Sequence, residues 1–118
     1  MREAFAHEAV VELRSGDPAA LGAAVTIALC GQLEHEPPCP LAPHFSRTER
    51  VGDHVRLRVL FVTETERKGE VRSLIQTALE QGSLRTPDGG AGWVVVESRA
   101  SVVFDEEREH AMRLTRTG

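Results

Sequence analysis

The segment from Val51 to Phe61, VGDHVRLRVLF, decides the fold. Gly52 and Asp53 supply turn chemistry between two strand-like arms, which predicts the tip of a hairpin. In the arm after the turn, one set of apolar residues recurs with the period of two that is typical of a strand with a buried face: Val55, Leu57, Val59 and Phe61. The arm before the turn, residues 44–51, is polar and weak, which suits a strand at a sheet edge.

Upstream of the hairpin, the sequence predicts a strand followed by a helix. Residues 5–13 alternate between two faces with a period of two, as expected of a half-buried strand. Asp17 is a good helix N-cap, and Pro18 suits the first helical position because its missing N–H has no partner there. Gly31 can end this helix in a left-handed conformation.

Downstream of the hairpin, the sequence predicts a second helix and a last strand. Thr63 and Glu66 fit a capping box at the helix start. An apolar stripe at helical spacing follows and stops at Gly82. The stretch TPDGGAG, residues 86–92, has the composition of a flexible turn, and residues 93–103 have the composition of a strand.

The resulting order is strand, helix, strand, strand, helix, strand, which is the split βαβ, or ferredoxin-like, arrangement βαββαβ. We therefore predict an α+β fold with an antiparallel sheet and two helices on one face. A length of 118 residues suits one domain over residues 1–118, with its core at about 4–104. Residues 105–118 form a short, charged C-terminal tail.

The sheet face turned away from the helices is expected to hold charge pairs and an apolar patch. Right-handed crossovers would place the first and third strands side by side and parallel, with Glu8 and Glu12 near Arg56 and Arg58. The same face carries three large apolar residues, Val10, Leu60 and Val62. An uncovered apolar patch often marks an interface, so we predict a homodimer there. The alternative is that the C-terminal tail folds back over the patch.

The segment between the first helix and the hairpin holds both cysteines of the chain. Leu29 to His44 reads LCGQLEHEPPCPLAPH, and its possible ligands are Cys30, His35, Cys39 and His44. Thiolate and imidazole are the preferred ligands of zinc, and four of them complete a tetrahedral site. The segment also exceeds the usual helix-to-strand loop of about two to six residues, and long loops tend to be functional. The sequence therefore predicts a zinc-binding protein of structural or sensory role.

Other interpretations of this segment stay open. Cys30 also falls on the buried side of the first helix, where a free cysteine behaves as a small hydrophobe. The spacing lacks the C-x2-C pair that zinc ribbons and fingers usually contain. A Cys30–Cys39 disulfide, a haem bound by Cys39, and Cys39 as a nucleophile are lesser alternatives. If only three of the four ligands bound the metal, the fourth position would be open, and Glu34 or Glu36 could serve as a base. We assign no catalytic residue.

Bulk composition narrows the class of function. Fourteen basic against eighteen acidic residues give a net charge of −4, which argues against nucleic-acid binding because phosphate affinity needs a basic face. No signal peptide is visible, and the longest apolar run, residues 18–30, is shorter than the roughly 20 residues of a membrane span. We therefore expect a cytoplasmic protein without a membrane partner.

Two functions of other classes remain as alternatives to zinc binding. The first is a non-enzymatic dimerisation or interaction module that acts through the open sheet face without metal. The second is a small enzyme or ligand-binding domain that uses the Cys/His loop, and the sequence favours it less.

Overall fold

The computed structural model describes residues 2–30, 42–86 and 89–117. In these ranges the elements are β1 (Arg2–Gly16), α1 (Ala19–Cys30), β2 (His44–Val51), β3 (His54–Glu64), α2 (Lys68–Glu80), β4 (Ser83–Thr86), β5 (Gly89–Ser101) and α3 (Arg108–Thr117). Short 3-10 turns, Thr65–Arg67 and Asp105–Glu107, lead into α2 and α3. The strands form one antiparallel sheet in the order β2-β3-β1-β5-β4.

The prediction of a ferredoxin-like βαββαβ fold with two helices is wrong. In the described chain the sheet has five strands and is accompanied by three helices. The additional strand β4 has only four residues, too few for a detectable alternation, and α3 lies in the segment expected to be a tail. The expected parallel pairing of β1 and β3 is also wrong, since they pair antiparallel with Glu8 directly opposite Arg58.

One face of the sheet, here called the inner face, is buried under α1 and α2. Alternate residues of β1 and β3 meet the apolar sides of the two helices, and the largest fully buried side chains are Leu21, Leu29, Leu57, Phe61, Ile75 and Leu79. Trp93 of β5 closes this core, and its Nε1 donates a hydrogen bond to the carbonyl of Leu79 at 2.8 Å. The sequence period of two in β1 and β3 therefore produces the core.

The helix starts show how local signals compete with strand pairing. At α1, the backbone N–H of Ala19 donates to Asp17 Oδ1 at 2.8 Å, as an N-cap should. The capping box predicted for Thr63 and Glu66 does not form, because β3 continues to Glu64 and pairs there with Arg2 of β1. Pairing along the sheet therefore moves the start of α2 beyond the predicted cap.

Gly16, together with a glycine in the stretch predicted as a flexible turn, allows close backbone contact between strands. A Cβ at Gly16, where φ is +85°, would lie 2.0 Å from the carbonyl oxygen of Gly90. A Cβ at Gly90, where φ is +134°, would lie 2.4 Å from the carbonyl oxygen of Leu84. Only glycine combines these φ values with such a close approach, so β1, β4 and β5 can meet here. Pro87 and Asp88 lie outside the described residues.

The opposite face, here called the outer face, is partly covered by α3. This helix packs across β1 and β3, and Ala6, Leu60 and Val62 are buried there. The alternative in which the C-terminal tail folds back over the outer face is therefore what the structure contains. The homodimer through Val10, Leu60 and Val62 stays a prediction, although Leu60 and Val62 are only 3% and 0% exposed within one chain.

Candidate functional site

The structure describes the side chain of one of the four predicted zinc ligands. His35 and Cys39 lie outside the described residues, as do Glu34 and Glu36. Cys30 is the last residue of α1, and only its backbone is described. Among the side chains that are described, no group of three or more His, Cys, Asp or Glu could hold a metal ion. The zinc site therefore stays a prediction.

His44, the first residue of β2, has a ring whose orientation can be assigned. Its Nδ1 lies 3.1 Å from the carbonyl oxygen of Ala42. Because a carbonyl only accepts, Nδ1–H donates to it, and in the neutral form of the ring Nε2 is then the acceptor. Nε2 lies 3.1 Å from the hydroxyl oxygen of Thr26, which therefore donates to it. Since Thr26 is one helical turn before Cys30, Nε2 contacts α1 close to its C-terminal end.

This arrangement matches the chemistry of a metal ligand. A histidine that binds a metal through one nitrogen usually donates its other N–H to a carboxylate, a backbone carbonyl or water. To bind a metal ion, Nε2 of His44 would have to give up its hydrogen bond with the Thr26 hydroxyl. The hydroxyl of a helical threonine can instead donate to the carbonyl four residues earlier, which here is that of Gly22.

A buried arginine at the centre of the outer face forms a polar cluster, of which the sequence predicted only that Glu8 lies near Arg58. The Arg58 side chain is 5% exposed. Its Nε and Nη2 donate to the two carboxylate oxygens of Glu107 at 2.7 and 2.8 Å. Nη1 donates to Glu8 at 3.1 Å and to the Ser101 hydroxyl at 2.8 Å, and Nη2 also donates to the carbonyl of Val102. Every N–H of the guanidinium therefore has an acceptor.

Phe104 and the electrostatics of the pair complete this cluster. The Phe104 ring centroid lies 3.8 Å from the guanidinium carbon of Arg58, and its backbone N–H donates to Glu107 at 2.9 Å. The hydrogen bond from Arg58 lowers the pKa of Glu107, against the opposing effect of burial. The hydrogen bond to Glu107 likewise raises the pKa of Arg58. Both groups are therefore charged at neutral pH, and their ion pair attaches the start of α3 to β3.

Further arginines approach the same two carboxylates, and the space between these side chains is small. Glu8 also lies 3.8 Å from Arg56 and 3.4 Å from Arg99, and Arg47 lies 3.8 Å from Glu107. Two adjoining cavities beside these residues have volumes of about 100 and 80 Å³. Small-molecule pockets usually exceed about 300 Å³. The cluster therefore has the geometry of an attachment point for α3, and it provides little room for a ligand.

His7 is a buried titratable group on the inner face. It is 3% exposed, its Nε2 lies 2.8 Å from the Ser98 hydroxyl, and its Nδ1 lies 3.3 Å from Arg72 Nη1. Because a guanidinium only donates, Nδ1 accepts and the Nε2–H donates to Ser98. Burial, and then the charge of Arg72, lowers the pKa of His7 to about 4. His7 is therefore neutral in the folded protein at neutral pH.

We expect the free energy of unfolding to fall as the pH drops from 6.5 towards 4 because of His7. In this window the unfolded chain binds the proton and the folded chain does not, so acid favours unfolding. The loss is about 2 to 3 kcal/mol by pH 4.5. Urea unfolding across this range should show a smaller loss for His7→Gln than for wild type. His54→Gln, at the hairpin turn, should behave as wild type, and equal losses in all three proteins would contradict the assignment.

Comparison with known proteins adds no relative from which a function could be transferred. No protein-family model, no curated protein and no solved structure matches the chain. Within the described ranges no helix is long and apolar enough to cross a membrane. The function is therefore inferred from the chemistry of the chain's own residues.

Proposed function

We propose that this protein binds a zinc ion in a structural or sensory site composed of Cys30, His35, Cys39 and His44. The observation that carries the proposal is the orientation of His44. Its Nδ1 lies beside a backbone carbonyl and its Nε2 contacts Thr26 of α1, four residues before Cys30. Cys30 ends that helix, so the chain brings two of the four ligand positions to neighbouring parts of the fold.

The composition of the intervening segment supports the same proposal. Residues 31–43 contain the other two ligands together with Pro37, Pro38, Pro40 and Pro43. Prolines restrict the unfolded chain, which lowers the conformational entropy lost when the segment closes around an ion. A cytoplasmic location, which we also propose, would keep both cysteines reduced and available as thiolates.

We expect the protein, purified without a histidine tag and under reducing conditions, to contain about one zinc per chain by elemental analysis. Cys39→Ser and His44→Gln should each lower zinc affinity by about tenfold or more in competition with a chromophoric chelator. Chelation should also lower the melting temperature of the wild type, because an ion that binds only the folded state stabilises it.

Two matched variants separate loss of a ligand from damage to the fold. Thr26→Val removes the hydroxyl that contacts His44 Nε2 and leaves every proposed ligand in place, so it should retain zinc. His54→Gln removes a histidine at the hairpin turn and should also retain zinc. A wild type that stays metal-free with zinc present, or a Cys39→Ser variant with unchanged affinity, would contradict the proposal.

A further inference from the structure

The edge of β2 presents backbone groups that no described strand satisfies. In the described part of the sheet, β3 is the one neighbour of β2. The loop between them has two residues, Gly52 and Asp53, with Gly52 at a φ of +61°. In such a hairpin the flanking residues, Val51 and His54, exchange both backbone hydrogen bonds. The pattern alternates along an antiparallel pair, so every second residue of β2 bonds to β3.

The remaining residues of β2 direct their N–H and C=O groups to the open edge. By this alternation they are His44, Ser46, Thr48 and Arg50, and the register described below pairs the last three. An eight-residue edge strand of this kind is a template for another strand. Charged side chains usually prevent such pairing, so the order of the charges along β2 decides whether a second copy fits.

One antiparallel register between two copies of β2 satisfies both the backbone and the charges. With the two-fold axis at Thr48, Ser46 of each copy lies opposite Arg50 of the other. The backbone N–H and C=O groups of these three residues point to the open edge, so they can form hydrogen bonds between the copies. On the outer face, Arg47 then lies opposite Glu49, and Phe45 lies opposite Val51. An axis at Arg47 or at Glu49 would instead oppose like charges, which is destabilising.

The side chains that this register pairs are exposed in the single chain. Phe45 is 44% and Val51 is 47% exposed, so their pairing across the two copies would remove apolar surface from water. The Arg47 side chain is 60% exposed, with a 3.8 Å contact to Glu107. Glu49 is exposed and forms no ion pair with any described residue. Each cross-strand pair of opposite charges or apolar groups contributes about 0.2 to 1 kcal/mol.

The uncharged composition of α1, the helix above β2, independently supports association at this edge. α1 lies over this strand, since a Cβ at Gly22 would be 3.3 Å from the hydroxyl of Ser46. None of its twelve residues is charged, and the residues outside the core include Ala19, Ala23 and Ile27. A helix without a polar face is normally buried on all sides. Edge pairing of β2 would bring α1 of each copy towards the other, on the side where Gly22 and Thr26 lie beside β2.

We propose that two copies of this chain associate through β2, antiparallel and with the two-fold axis at Thr48. The two sheets join into one continuous sheet of ten strands, twice the five of each copy. The two copies of α1 flank the junction on the inner face. This dimer uses the sheet edge, and it leaves α3 in place on the outer face.

Charge reversal along β2 tests the proposal by analytical ultracentrifugation. The wild type should dimerise, and Glu49→Arg should weaken the dimer by about tenfold or more because Arg47 then faces arginine. Arg47→Glu should do the same, and melting temperatures will show whether loss of its contact with Glu107 affects the fold. The double variant Arg47→Glu/Glu49→Arg should restore the dimer, and an equimolar mixture of the two single variants should form a heterodimer.

Three results would overturn the proposal. One is a wild type that is monomeric at high concentration. Another is a dimer unaffected by either single variant. The third is a dimer that survives Glu49→Arg but is split by Val10→Glu, which would assign the interface to the outer face. If another segment of the same chain covered the edge of β2, the wild type would be monomeric, which is the first of these results.

Discussion

Replacing Arg58 by leucine is expected to lower the free energy of unfolding by about 3 to 5 kcal/mol. The substitution leaves the Glu107 carboxylate, which is 8% exposed, without the bidentate partner that offsets the cost of its burial. Glu8 loses less, because Arg56 and Arg99 remain within 4 Å of it. The start of α3 should detach from the sheet, and hydrogen exchange in α3 should accelerate.

A double-mutant cycle provides the control for this expectation. Glu107→Leu alone should also be destabilising, because it leaves the guanidinium buried with fewer acceptors. Arg58→Leu/Glu107→Leu should recover much of the loss, since a buried ion pair can often be replaced by apolar residues at little cost. Chemical denaturation of the four proteins measures the coupling. Additive losses, or a loss below about 1 kcal/mol for Arg58→Leu, would contradict the attachment of α3 through this pair.

Phe61→Ala is expected to cost about 3 to 5 kcal/mol of stability. Phe61 is 0% exposed on the inner face, with the Phe5 ring centroid 5.6 Å away and the Arg72 guanidinium 5.3 Å from its ring. Its removal would leave a cavity between the sheet and α2 that the surrounding side chains cannot fill completely.

Phe45→Ala is the matched control for this substitution. Phe45 lies on the neighbouring strand but on the outer face, where it is 44% exposed and its ring contacts that of His110 in a tilted arrangement, with centroids 4.3 Å apart. Its loss should cost about 1 kcal/mol or less. Urea unfolding measures both variants, and similar losses for Phe45→Ala and Phe61→Ala would contradict the assignment of the core to the inner face.

The elements that the sequence located correctly are those whose signals are local. Alternation in β1 and β3 extends over many residues, and the cap at Asp17 depends on a side chain two residues from its partner. β4 was missed because four residues carry no measurable period, and because the glycines after it suggest flexibility when they actually permit close backbone contact. Local patterns therefore predicted the positions of the helices and strands better than the way these elements pack together.

The cluster on the outer face could not be predicted for a related reason. Arg58 and Glu107 are 49 residues apart, and no local pattern links them. The charges of Glu8, Arg56 and Arg58 are visible in the sequence, but the parallel pairing expected for β1 and β3 gave no reason to place α3 above them. The zinc prediction differs from this case, because its proposed ligands lie close together in the sequence. The structure describes the side chain of only one of them, His44.

X-ray absorption at the zinc edge of the zinc-loaded, untagged protein is the most direct test of the proposed function. We expect a first shell of two sulfur atoms at about 2.3 Å and two nitrogen atoms at about 2.0 Å, as Cys30, Cys39, His35 and His44 would provide. Cys39→Ser should lose one of the sulfur atoms, and Thr26→Val should leave the spectrum unchanged. A first shell of oxygen and nitrogen alone, or failure to bind one equivalent of zinc, would contradict the proposal.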